Sequence, residues 1–133
     1  MRLGSRRTVL SRPACKTAQL YGGVTAIDER HRHRYEINMD YVKSLEEKVR
    51  VRVRIRVGVR VGVNPNPNPN PNPDQGLEFV GRDTTGERME VFELAGHPYY
   101  VGCQFHPEFK SRPQSPSPLF VGLILTAAGL PLP

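Results

Sequence analysis

Cysteine is scarce in this chain, with only Cys15 and Cys103 in 133 residues. Two isolated thiols form neither a disulfide framework nor a metal-ligand pattern, which fits a reducing compartment. Long apolar runs are missing as well. The longest, Leu119 to Leu130, is about 12 residues, short of the about 20 that a membrane-spanning helix needs. Behind Met1-Arg-Leu-Gly-Ser-Arg-Arg there is no apolar stretch of signal-peptide length. A soluble, cytoplasmic protein with no membrane partner is therefore expected. The hydrophobic fraction is low at 38%, while 13 Pro and 12 Gly are many, so part of the chain is not expected to build a core. The length suits one domain, since single domains cluster at roughly 100–150 residues.

Acidic residues are missing from one stretch in particular. Between Val49 and Gln75 stand Arg50, Arg52, Arg54, Arg56 and Arg60 against the single acid Asp74. That segment carries +4 of the total +6, so the basic character belongs to it and not to the domain, and nucleic acid is not an expected partner. Val49 to Val63 alternates an aliphatic residue with Arg or Gly, and Asn64 to Pro73 repeats Asn-Pro. The first half has the period of a long strand with one cationic face. The second can be neither strand nor helix, because each Pro lacks an N–H and biases its neighbour toward extended backbone. Together they read as a low-complexity insert, resembling translated simple repeats. The chain accordingly divides into residues 1–48, the insert 49–75, expected to be disordered, and residues 76–133. A polyanion-binding arm is the alternative reading of the insert.

The flanks carry ordinary structural signals. Asn38 suits the N-cap of a helix from Met39 to Lys48 with Val42 and Leu45 on one face, and Gly76 would supply that helix's terminal glycine. Leu77 to Arg82 and Arg88 to Leu94 read as antiparallel strands around the turn Asp83-Thr-Thr-Gly-Glu. Tyr99 to Phe105 reads as a further strand, Thr8 to Leu10 as a strand fragment, Cys15 to Tyr21 as a short helix, and Leu119 to Ala128 as the closing helix. This alternation predicts an α/β fold with too few strands to complete a sheet.

Chemistry concentrates in Gln104-Phe105-His106-Pro107-Glu108. In extended backbone, residues two apart lie about 6.6 Å apart and face one way. That spacing suits an imidazole held by a carboxylate, the base-and-orienter half of a nucleophilic triad; a plain ion pair at a strand end is the other reading. His31 and His33 have the same spacing, but no third ligand is spaced to help them, so no metal is expected. Arg30, Arg32 and Arg34 read by composition as a basic surface run. Cys103 reads as a small buried hydrophobe.

Six blocks stand out: Met1-Arg-Leu-Gly, Leu20-Tyr-Gly, Glu29-Arg-His-Arg-His-Arg-Tyr-Glu-Ile-Asn38, Gly76-Leu-Glu-Phe-Val-Gly, Gly86-Glu-Arg-Met-Glu90 and Gln104-Phe-His-Pro-Glu-Phe-Lys-Ser-Arg-Pro113. Together they resemble the CTP synthase family within its class-I glutamine amidotransferase domain. The His-Pro-Glu block marks only the amidotransferase class, whereas Arg-His-Arg-His-Arg-Tyr-Glu together with Met-Arg-Leu-Gly marks the CTP synthase branch. The resemblance implies part of a flavodoxin-like open α/β sheet. It implies an enzyme that hydrolyses glutamine and passes the ammonia to a synthase domain, which uses ATP and magnesium to convert UTP to CTP. His106 would be the general base, Glu108 its orienter, and Arg34 a contact for the glutamine carboxylate, which a guanidinium can grip with two parallel hydrogen bonds.

The departures from the family pattern carry expectations of their own. The family's nucleophile stands in a Gly-x-Cys-x-Gly-x-Gln turn, and neither Cys15 nor Cys103 does. Met1 corresponds to an internal family position, so a truncated, inactive fragment is expected, with no cofactor bound by this segment. Its expected partners are glutamine, the missing synthase domain and further copies in a homo-oligomer. A half-sheet exposing apolar faces is expected to be marginally stable. A non-catalytic regulatory role is the alternative.

Overall fold

A computed structural model describes residues 1–47 and 76–133. It contains strands β1 (Arg2–Leu10), β2 (Ala26–His33), β3 (Gly76–Asp83), β4 (Met89–Ala95) and β5 (Val101–Cys103). The helices are α1 (Lys16–Leu20), α2 (42–47, entered through a 3₁₀ turn at Met39–Tyr41) and α3 (Pro118–Ala127), with a further 3₁₀ turn at Pro107–Phe109. The strands form one sheet in the order β2-β1-β3-β4-β5. Every pairing is antiparallel.

The class is α/β, as expected, but several finer expectations need correcting. The fragment at Thr8 to Leu10 is the end of a nine-residue strand, and the described strands do complete a five-stranded sheet. This sheet is antiparallel and curled, where a flavodoxin-like open sheet was expected. The local reason is connection length. β3 to β4 and β4 to β5 are joined by a few residues each, enough for hairpins, whereas parallel neighbours need crossovers of a dozen residues or more. The strand expected over Tyr99 to Phe105 is paired as a strand only at Val101–Cys103.

β1 lies between the edge strand β2 and β3. It pairs with β2 along its length and with β3 near its end, Thr8 opposite Asp83 and Leu10 opposite Gly81. Both sequence segments therefore share one sheet. The sheet order puts β2 and β5 at opposite edges, yet Phe105, just past β5, bridges His31 of β2. The sheet thus curls until its two edges meet.

Inside the curl and under the helices lie Leu10, Ala18, Leu20, Ile27, Val80, Val91, Phe105 and Leu119. Fully burying an aliphatic or aromatic side chain of this size contributes about 1.5–3 kcal/mol. A second cluster joins Val42, Leu77, Phe79 and Met89, so α2 faces the sheet through Val42, while Leu45 stays exposed. Asn38 caps the turn before α2, its Oδ1 accepting from Asp40 N–H at 3.0 Å. The end of that helix, with the terminal role expected of Gly76, lies outside the described residues, as does the insert 49–75 with its basic arm.

Helix α1 has only five residues and is held at its start by a strand. Glu93 of β4 is buried, and its carboxylate accepts from Lys16 N–H (3.0 Å), Thr17 N–H (2.7 Å) and Thr17 Oγ1–H (2.7 Å). Cys15 Sγ accepts from Ala18 N–H as the N-cap. These contacts satisfy donors that a helix start leaves free. α3 packs on α1 through Gly122, which sits against Leu20 and Tyr99. Tyr99 O–H donates to Leu119 O at 2.6 Å. No helix among the described residues is long and apolar enough to cross a membrane.

Candidate functional site

The edge-to-edge closure is what places His106. Gln104 N–H donates to Glu90 O on β4 (2.9 Å), and two residues later His106 N–H donates to Arg30 O on β2 (2.8 Å). The segment leaving β5 therefore crosses from one sheet edge to the other, and His106 is pinned at the far side. Pro107 then opens a 3₁₀ turn with no N–H to lose. That turn brings Glu108 back beside the ring.

His106 Nδ1 lies 2.7 Å from Glu108 Oε1. A carboxylate can only accept here, so Nδ1–H donates and the tautomer is set. Nε2 is left with its lone pair, able to take a proton. The hydrogen bond from His106 holds the Glu108 carboxyl below its ordinary value. Phe109 stacks on the imidazole, with centroids 5.1 Å apart and planes 25° from parallel. The His106 side chain is 38% exposed and Glu108 54%, so the pair is open to an incoming group.

Neither thiol is activated. Burial pushes the Cys103 thiol up to about 12, with the carboxylates of Glu108 and Glu29 adding to the effect. The same burial raises Cys15, which is occupied as a helix cap. Cys103 is only partly buried, where a buried hydrophobe was expected.

Arg34 stands apart from the pair. It follows β2, is exposed, and lines a cavity of about 610 Å³ with Arg2, Arg6, Arg88, Glu36 and Asp83; His106 does not line it. The sequence-predicted residues therefore divide in two, with His106 and Glu108 in contact and Arg34 on a separate basic cavity.

β2 alternates as a half-buried strand should. Arg30 and Arg32 face solvent, whereas Ile27, Glu29 and His31 are buried. His31 is buried, at 2% exposed. Burial, reinforced by Arg2, lowers its pKa to about 4 and keeps it neutral. Burial also raises Glu90 and Glu29 above the ordinary carboxylate range, and Tyr21 O–H donates to Glu29 Oε1 at 3.0 Å. Glu29 and Glu90 escaped the sequence reading as individuals. Their only signal was membership of the blocks Glu29 to Asn38 and Gly86 to Glu90.

Comparison with known proteins bears on this arrangement. A family model described as glutamine amidotransferase class-I matches residues 60–126. CTP synthase 2 of Bos taurus is 46% identical over 129 residues, which are 97% of this chain and 17% of that protein. CTP synthase 1 of Danio rerio is 43% identical over the same shares. Among solved structures, the Trypanosoma brucei CTPS glutaminase domain with bound acivicin aligns over 100% of this chain and 42% of its own, with 26% identity and a TM-score of 0.71. The chain spans under a fifth of the length of these curated relatives.

Proposed function

This chain belongs to the class-I glutamine amidotransferase family and corresponds to a portion of the CTP synthase glutaminase domain, and on that premise we propose that it carries the base of a glutamine-hydrolysing site. The ammonia released there would serve the ATP-dependent amination of UTP to CTP. The observation that carries this reading is the 2.7 Å hydrogen bond between His106 Nδ1 and Glu108 Oε1. It directs the Nε2 lone pair outward, where a general base must present it.

The chemistry follows from that tautomer. Nε2 removes the proton from a cysteine thiol supplied by a segment outside this chain, and the thiolate attacks the glutamine side-chain amide. The resulting imidazolium is stabilised by Glu108 and returns the proton to the departing nitrogen, so ammonia leaves and a thioester forms. Nε2 then deprotonates water, which releases glutamate. Arg34 is assigned the glutamine carboxylate, which the positive lining of its cavity favours. Residues 1–48 and 76–133 are assigned to one amidotransferase domain. ATP, magnesium and the homo-oligomer contacts are assigned to the remainder of the enzyme. The chain alone is inactive on this reading.

The test is a chimera. The matching stretch of Bos taurus CTP synthase 2 is replaced by this chain without residues 49–75, and glutamine hydrolysis is measured. The chimera should turn over, and His106→Ala should cost about 10⁴–10⁶-fold in kcat. Glu108→Gln should cost about 10²-fold or more with little change in KM. Full activity in a folded His106→Ala chimera would refute the assignment.

A further inference from the structure

We propose that His31, His33 and Glu90 form a binding site for a divalent transition ion of the Zn²⁺ class, with His31 Nδ1, His33 Nε2 and Glu90 Oε2 as ligands. The pattern His-x-His on β2 offers only two ligands. The third comes from β4, brought there by the curl of the sheet. The three ligand atoms lie within 4.8 Å of one another.

The distances favour a shared ion over a hydrogen-bonded network. His31 Nδ1 is 3.3 Å from His33 Nε2 and 3.5 Å from Glu90 Oε2. Both are long for hydrogen bonds, whose N–H···O distances centre near about 2.9–3.0 Å. They match the edge of a ligand tetrahedron, which for metal bonds of about 2.0–2.1 Å is about 3.3–3.4 Å. His2Glu with a fourth position open to water is an established donor set for this ion.

The surroundings prepare His33 more than His31, whose Nε2 is buried without a hydrogen-bond partner among the described residues. His33 Nδ1–H donates to Tyr35 O at 3.0 Å, which leaves Nε2 with its lone pair turned toward His31. Such outer hydrogen bonds orient metal-binding imidazoles. Glu90 is 2% exposed and its Oε2 has no hydrogen-bond partner among the described residues. A buried carboxylate oxygen without a partner is costly, and a cation would remove that cost. Arg2 opposes binding, since its guanidinium lies 3.0 Å from Glu90 Oε1. It addresses the other oxygen, however, and has Asp83 as a second partner at 3.5 Å. His33 is only partly buried and lines the 610 Å³ cavity, which gives an ion its way in.

An ion here would tie β2 to β4 beside the bridge between His31 and Phe105. It would clamp the closure that positions His106 while touching neither His106 nor Glu108. The inference does not depend on the proposed function.

The test is titration of the full chain, stripped with chelator, with Co²⁺ as a spectroscopic stand-in for Zn²⁺. One equivalent should bind and give the strong visible d–d bands of a four- or five-coordinate ion, and Zn²⁺ should displace it and raise Tm. His33→Gln and Glu90→Gln should each weaken binding by more than about 100-fold, beyond what loss of an outer-shell partner costs. His97→Gln, at an exposed imidazole, should leave binding unchanged. Should Glu90→Gln fail to fold by circular dichroism, His33→Gln decides alone, because its side chain is partly exposed. Octahedral-type weak bands, no binding at millimolar Co²⁺, or equal loss in His97→Gln would overturn the proposal.

Discussion

Substituting Gly102 by Ala tests the packing that leads to His106. Gly102 lies in β5 directly opposite Phe92 of β4. Its φ is not positive, so alanine is allowed by the backbone and only space is at issue. A Cβ built there would fall closer than 3.0 Å to three carbons of the Phe92 ring, Cζ, Cε1 and Cε2. The ring covers the glycine and cannot tilt freely. Phe79 meets it edge-on at 5.9 Å and Tyr100 lies at 6.3 Å. Overpacking of this kind costs about 1–3 kcal/mol. Replacing Gly by Ala also restricts the unfolded chain, which restores about 0.4–1 kcal/mol. The net expected loss is about 1–2 kcal/mol. With a urea m-value of about 1–3 kcal/mol/M, the unfolding midpoint of the purified chain should fall by roughly 0.3–2 M at unchanged m. In a Phe92→Leu background the ring is gone, and Gly102→Ala should become neutral or stabilising. An equal penalty in both backgrounds, or a stabilised single variant, would show that the ring does not set the cost.

Two further outcomes follow from buried polar groups. Glu93→Ala removes three acceptor contacts from the start of α1 and leaves buried donors unmatched; hydrogen bonds to a charged group are worth about 1.5–3 kcal/mol each, so urea unfolding should show a loss of at least about 2 kcal/mol, and a change under 0.5 kcal/mol would contradict the capping role. His31 has a folded pKa of about 4 against an ordinary 6.5. The unfolded chain therefore binds the proton first, and stability should fall as pH drops from 6.5 toward 4, by up to about 3 kcal/mol at 1.36 kcal/mol per unit. In metal-free buffer His31→Gln should flatten that slope relative to the parent chain; an identical slope in both would rule out His31 as its source.

The legible parts of the fold were those where neighbours in sequence are neighbours in space. Asn38 capping the next turn, Leu77 to Arg82 hairpinned onto Arg88 to Leu94, and Glu108 returning to His106 all depend on a few adjacent residues. β1 escaped because Arg2 to Arg7 is polar and flanks a polar partner, so hydrophobic period, the main strand signal, is silent there. β2 hid for a related reason: two of its inward residues, Glu29 and His31, are polar. The grouping of Glu90 with the two histidines depends on how far the sheet curls, a property of all five strands that no local spacing encodes. The same holds for Arg34, whose place on a cavity apart from His106 is set by where β2 ends.

The bridge between Phe105 and His31 has a kinetic meaning. It joins residues more than seventy positions apart, about as far as Thr8 and Asp83 between β1 and β3, so bringing the two edges together costs a large closure entropy. The amide of His106, bonded to Arg30 O just beyond that bridge, is protected from solvent exchange only once the edges have met. His106 therefore keeps its place only while the two edges stay joined, and fraying of either edge releases it. The position of the imidazole reports whether the sheet is closed.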